Sequence, residues 1–163
     1  MSRFDDLIQS VGLMAPALAI AAIDRELAAG MPINMTTQVQ EEDTPFVDMG
    51  AIDVSLLAMC TDAGVARHLL SKGADPNLEL ESGCATVDFA LAQGHFGIVV
   101  QLLEGGLAET QGMLLEKTDA LVEPKHRKTY KQVVNAYFGT PKQKTEVLEW
   151  SLAGGTFRPK QAG

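Results

Sequence analysis

The chain has 163 residues, of which 46% are apolar and only 6% are aromatic. This length fits one domain, whose core must consist mainly of Leu, Ala, Ile, Val and Met. The net charge of −8 is uneven: residues 1–123 carry −14 and residues 124–163 carry +6. This balance argues against nucleic acid as the main partner, because phosphate binding depends on a positive footprint. The acidic body and the basic end form two electrostatic surfaces or serve solvation alone.

No segment of the sequence is suited to a membrane or to a cleaved export signal. The longest apolar run, residues 11–23, is interrupted by Gly12 and Pro16 and is too short to span a bilayer. Asp5 and Asp6 do not fit the basic start of a signal peptide. We expect a soluble, cytoplasmic protein, and secretion by a route that reads no cleaved leader stays open.

The first predicted element is a capping helix over residues 2–10. Ser2 can cap its start, and Asp5 and Asp6 fall in the first turn, where the helix dipole favours negative charge. The next helix ends within the segment ELAAGMPIN, residues 26–34. We therefore expect residues 1–34 to form an N-terminal cap and a first, weakly marked repeat.

A polar and acidic insertion follows at residues 35–53, which we predict to be a loop on one face. Its apolar residues Phe46 and Met49 either pack on the rest of the chain or contact a partner. Residues 54–107 then contain two helix pairs. We predict helices over residues 54–60 and 65–72, and again, after a turn, over residues 83–92 and 97–104.

Glycines end the second helix of each pair at a fixed spacing. Gly73 and Gly106 are 33 residues apart, and the weaker copy at Gly30 lies 43 residues before Gly73, which is one period plus ten. Glycine ends helices because it enters the left-handed conformation without strain. A 33-residue period is typical of stacked repeats, in which each unit buries its apolar face against its neighbours. Such architectures usually present a surface, so the period favours binding over catalysis.

Beyond residue 107 the period fades. We predict amphipathic helices over residues 111–122, 130–138 and 144–152, and a frayed end over residues 156–163. Terminal repeats must turn a polar face to water and therefore depart from the repeated pattern. Residues 108–155 are accordingly predicted to be C-terminal capping helices.

The two best-kept copies resemble the ankyrin repeat. LLSKGADPN at 69–77 is similar to the end of its second helix, and ALAQGH at 90–95 is similar to its middle. The resemblance implies an all-α fold, a solenoid of stacked helix-turn-helix units with helical caps, spanning residues 1–163 as one domain of about three to four repeats. The histidine that opens the family's first helix is missing at 53–55 and at 85–88, so the array is divergent.

The sequence offers no motif for catalysis, a cofactor or a metal. His68, His95 and His126 have no Cys, His or carboxylate at metal-binding spacing. Cys60 and Cys84 lie in apolar helical patterns, which predicts buried free thiols. We expect no enzyme activity, although a Ser/Cys–His–Asp site assembled from distant residues stays open. The basic run around Lys125, Arg127, Lys128 and Lys131 either meets phosphate or is a solvated start of a helix.

The resemblance implies a protein–protein interaction module, since family members meet partners through the turns between repeats and the concave face of the first helices. The acidic body favours a partner with a basic surface. Two narrower alternatives stay open: an inhibitor or immunity protein that neutralises a bacterial toxin, and a secreted bacterial effector that acts on host proteins. The residues predicted to contact the partner are Ser55, Met59, Asp75, Asn77, Leu78, Glu79, Leu80, Glu81, Asp88 and Gln93.

Overall fold

The computed structural model describes residues 2–40, 51–80 and 83–159 of the chain. It is mostly helical, as the composition predicts, with one two-stranded sheet in addition. The helices are α1 Arg3–Ser10, α2 Pro16–Ala28, α3 Leu56–Met59, α4 Ala63–Ser71, α5 Thr86–Gln93, α6 Phe96–Glu104, α7 Gln111–Glu116, α8 Thr118–Leu121, α9 Arg127–Tyr137 and α10 Pro141–Ala153. The strands are β1 Thr36–Val39 and β2 Ile52–Ser55. Within the described residues, no helix is long and apolar enough to cross a membrane.

The helices are arranged in two rows. The first row is α1, α3 and α5, which contact one another in that order, and α8 contacts α5 at its end. The second row is α2, α4, α6 and α10, again in contact one after the next. Leu56, Leu69, Leu91 and Leu102 are fully buried, so apolar side chains from both rows form the core. The packing therefore follows the order of the helix pairs along the chain.

The helix at the N-terminus confirms the predicted capping. The Ser2 hydroxyl accepts the N–H of Asp5, and the Asp5 carboxylate accepts the N–H of Ser2 in return. This reciprocal pair satisfies two backbone donors that the first turn leaves without helical partners. The charge pattern at the start of the chain therefore sets where α1 begins.

Three turns in the fold share one backbone geometry. Gly30, Gly73 and Gly106 have φ angles of 101°, 99° and 108°, which side chains rarely adopt. In each turn the glycine N–H donates to the carbonyl three residues before it. The N–H of the next residue donates to the carbonyl five residues before itself. This is the Schellman pattern, and it ends α2, α4 and α6 in the same way.

Asparagine side chains join these turns to one another. Asn34 accepts the backbone N–H of Asp75 at 2.9 Å, and Asn77 accepts the backbone N–H of Ala108 at 2.7 Å. The Asn77 side chain also donates to the carbonyl of Gly106 at 3.0 Å. Each asparagine follows its own glycine by four residues and bonds the segment after the next glycine. The hydrogen bonds therefore tie each of the three turns to its neighbour.

The prediction for residues 35–60 was wrong in two places. Residues 36–39 form β1 and residues 52–53 begin β2 instead of a loop, and residues 54–55 continue β2 instead of beginning a helix, so α3 retains only four residues. Antiparallel pairing sets Val39 opposite Ile52 and Thr37 opposite Val54. These β-branched residues favour strands and outweigh the weak helical pattern. The predicted contacts of Phe46 and Met49 lie outside the described residues.

The C-terminal helices differ from prediction mainly in their ends. The helix predicted over residues 111–122 is divided at Lys117 into α7 and α8. The Thr118 hydroxyl donates to the carbonyl of Leu115 at 2.6 Å, which competes with regular helical bonding at this point. α9 begins three residues before the predicted start, after a 3₁₀ turn, and α10 begins at Pro141, where Thr140 caps it.

Candidate partner-binding surface

The turn between α4 and α5 exposes three of the predicted contact residues, Asp75, Asn77 and Glu79, which we call the turn face. The Asp75 carboxylate accepts the N–H of Asn77 at 2.9 Å, which fixes the turn in the manner typical of aspartate. Glu79 pairs with Ala85 in an isolated antiparallel bridge. The turn face therefore presents two carboxylates on a backbone held by local hydrogen bonds.

Two of the predicted contact residues, Ser55 and Leu80, are buried, so the prediction that they contact a partner was wrong. Ser55 is 2% exposed because its hydroxyl caps α3 by accepting the N–H of Ala58. Leu80 is 4% exposed and belongs to the core. Leu78 is half-buried, and its carbonyl accepts the hydroxyl of Thr86. Glu81 lies outside the described residues.

Asp88 is held inside the fold by two partners. Its carboxylate accepts the N–H of Ala85 at 3.0 Å and the ammonium group of Lys117 at 2.8 Å. Lys117 also pairs with Glu109 at 3.0 Å, whose second carboxylate oxygen is buried with no hydrogen-bond partner. Burial alone would lower the pKa of Lys117, but the bonds from Asp88 and Glu109 raise it overall. The cluster links α5 to the C-terminal cap and leaves Asp88 little capacity for an external partner.

Met59 and Gln93, the last residues of α3 and α5, line a groove with a volume of about 510 Å³. Three further glutamines border it: Gln9 at the end of α1, and Gln38 and Gln40 on and just after β1. We call it the amide groove. The sequence prediction did not include these three residues and placed residues 38–40 in a loop. The alternating QVQ pattern at 38–40 is a signal that could have indicated a strand with two amide side chains.

Leu13 stands at the mouth of the amide groove with 89% of its side chain exposed. It belongs to the connection between α1 and α2. Ala15 in this connection is exposed as well, as are Pro16, Ala17 and Leu18 in the first turn of α2. Contiguous exposed apolar surface often marks a contact site. This segment is therefore a second feature of the surface that the repeat pattern did not predict.

A second cavity of about 450 Å³ lies beside His95, His126 and Trp150. His126 contacts the Phe96 ring edge-on, with 6.1 Å between ring centroids, and burial lowers the pKa of His95. The carboxylate of Asp62 is used to cap α4, where it accepts the N–H of Val65. In the part of the chain that the structure describes, no three His, Cys, Asp or Glu side chains are placed to hold a metal.

Other charged groups join the helices to one another. His68 on α4 lies 2.7 Å from the carboxylate of Asp24 on α2, and the buried Glu26 pairs with Arg3 and Arg25. In the basic region, Arg127 donates to the carbonyls of Val122 and Asp119. Lys125, Lys128 and Lys131 are exposed, which fits a solvated start of α9.

Both cysteines are buried, as predicted. Burial raises the pKa of the Cys60 thiol to about 12, so that the thiol stays protonated at neutral pH.

Comparison of the chain with protein-family models, with curated proteins and with solved structures gives no match.

Proposed function

We propose that this chain is a short ankyrin-like repeat protein that binds a protein partner with a basic surface. The observation that carries the proposal is the chain of equivalent turns at Gly30, Gly73 and Gly106, joined by Asn34 and Asn77. A stack of this kind displays its turns side by side and so builds an extended surface from local units. Binding of a macromolecule is the use that such a surface best supports.

Charge favours a basic partner. The chain carries −8 overall, and Asp75 and Glu79 are exposed on the turn face. No lysine within the described ranges pairs with them in the way that Lys117 pairs with Asp88. Opposite charge on a partner raises the rate of encounter and disfavours wrong partners more than it adds affinity. The turn face is therefore proposed as the site of first contact.

The test is affinity capture from the native organism, with the partner identified by mass spectrometry and its binding then measured with purified proteins. Exchanging Asp75 and Glu79 together for lysine is expected to slow association about tenfold or more, most clearly at low salt. The control exchanges the exposed Glu116 and Glu149 for lysine, which changes the net charge equally at distant sites. Equal association rates for both double variants would remove the turn face from the proposal.

A further inference from the structure

The amide groove exists because the inserted strand β1 packs beside α1. The side-chain amide of Gln9 on α1 donates to the backbone carbonyl of Gln38 on β1 at 3.1 Å. On the other side, the Thr61 hydroxyl donates to the carbonyl of Gly12 at 2.9 Å, which fixes the connection between α1 and α2 to the connection between α3 and α4. Both walls are therefore held by hydrogen bonds between elements distant in sequence.

The chemistry of the lining selects for uncharged groups. Among the residues that the structure describes, every side chain that lines the groove is uncharged, and the four glutamines carry both donors and acceptors. A charged ligand group would lose its hydration here without gaining a counter-charge. A peptide main chain, in contrast, offers N–H and carbonyl groups that match carboxamides one for one.

The strand adds a second reason to expect an extended peptide. In the described ranges the sheet contains β1 and β2, so no further strand pairs with the other edge of β1, against which α1 packs through Gln9. There the Gln9 amide gives the Gln38 carbonyl a hydrogen bond of the kind that a strand would give. Peptides commonly bind by adding to such an edge, with affinity from main-chain hydrogen bonds and specificity from pockets for alternate side chains.

We propose that the amide groove binds an extended, uncharged peptide segment of the protein partner. One apolar side chain of the segment packs on Leu13 and Met59, while its main chain bonds the glutamine amides. This inference rests on the proposed function, and it assigns a second contact site distinct from the turn face. A second copy of the chain is a poorer occupant, because two molecules each carrying −8 repel one another.

The experiment uses the full chain and a displayed library of random linear peptides. We expect enriched sequences that share an apolar residue flanked by uncharged residues. Synthetic versions should bind about tenfold or more weakly to Leu13→Ser and to Gln93→Ala, both changes at exposed side chains that leave the core intact. The matched control is Leu18→Ser, which removes an exposed leucine from the first turn of α2, outside the groove.

Three results of the library experiment would overturn the inference. These are enrichment of no peptide, enrichment of charged peptides, and equal binding by Leu13→Ser and Leu18→Ser. Dissociation of a dimer by Leu13→Ser in sedimentation experiments would also overturn it, since a second copy would then occupy the groove. The library contains no native partner, so the result of the library experiment is independent of the result of the capture experiment. Peptide binding should be unchanged when Asp75 and Glu79 are exchanged for lysine.

Discussion

At the scale of single residues, a few charged side chains in this protein join helices inside the fold. Glu26 is only 3% exposed, and the guanidinium of Arg3 pairs with both of its carboxylate oxygens. The hydrogen bond from Arg3 is the largest cause that lowers the pKa of Glu26, with a smaller contribution from Arg25. Because a buried carboxylate needs partners to stay ionised, Arg3 ties α1 to α2 through this one group.

Replacing Arg3 with methionine should therefore destabilise the protein in a pH-dependent way. A lowered folded-state pKa contributes stability above the unfolded pKa of about 4.3, and this contribution disappears as the pH falls through the folded value. The variant should unfold at lower urea than the native chain at about pH 7, and the difference should shrink as the pH falls through the lowered pKa of Glu26, below which the carboxyl group is protonated in both chains. The exposed Arg67→Met is the control, and a pH-independent difference would contradict the assignment.

At the scale of elements, the ends of helices were more predictable than the strands. The glycine spacing and the capping pattern at Ser2 depend on neighbours within a few residues, so sequence alone located the ends of α1, α4 and α6 closely. The pairing of β1 with β2 depends on residues 13 or more positions apart. No local pattern encodes that pairing, so the strands, and with them Gln38 and Gln40 in the amide groove, were missed.

The asparagine links give a graded prediction at this scale. Asn77→Ala removes two hydrogen bonds between neighbouring turns and should lower the free energy of unfolding by about 1–2 kcal/mol. Asn34→Ala removes one such bond and should cost about half as much. Asn77→Asp keeps the acceptor, so its loss of stability should lie between the losses of the two alanine variants. Urea unfolding of the three variants measures the order. An equal loss in all three would show that the links do not join the turns energetically.

Glycine at the same turns supplies a second test of the shared geometry. A Cβ added at Gly73 would meet nothing within 4 Å, so the cost of Gly73→Ala is backbone strain alone, about 1 kcal/mol. Gly105→Ala differs, since its Cβ would lie 2.9 Å from the Leu70 side chain while its φ of −81° suits alanine. Thermal unfolding should show that Gly73→Ala lowers the stability, and no substitution of a neighbouring residue should restore that stability. At Gly105, the added change Leu70→Ala should relieve the crowding.

At the scale of the whole molecule, we expect the packing of the C-terminal helices to limit the stability of the fold at alkaline pH. The fully buried Tyr130 donates its hydroxyl to the carbonyl of Leu114 at 2.6 Å, and burial raises its pKa well above the ordinary value. Burial also raises the pKa of Tyr137 to about 12, helped by the hydrogen bond to Glu104 on α6. These contacts join α9 to α7 and α6, so the phenols report on the packing of the cap as a unit.

Because the chain contains two tyrosines, titration of tyrosine absorbance reads this packing without mutation. A raised folded-state pKa contributes stability that is fully present below the unfolded value of about 10 and is lost as the pH rises through the folded value. Little tyrosinate should form at about pH 10.5, and its absorbance should then rise together with the loss of helical circular dichroism. Half-ionisation of one tyrosine at its ordinary pKa, with helicity intact, would contradict the packing of that ring. Tyr137→Phe, which retains Tyr130, distinguishes the two and should leave a single, later transition.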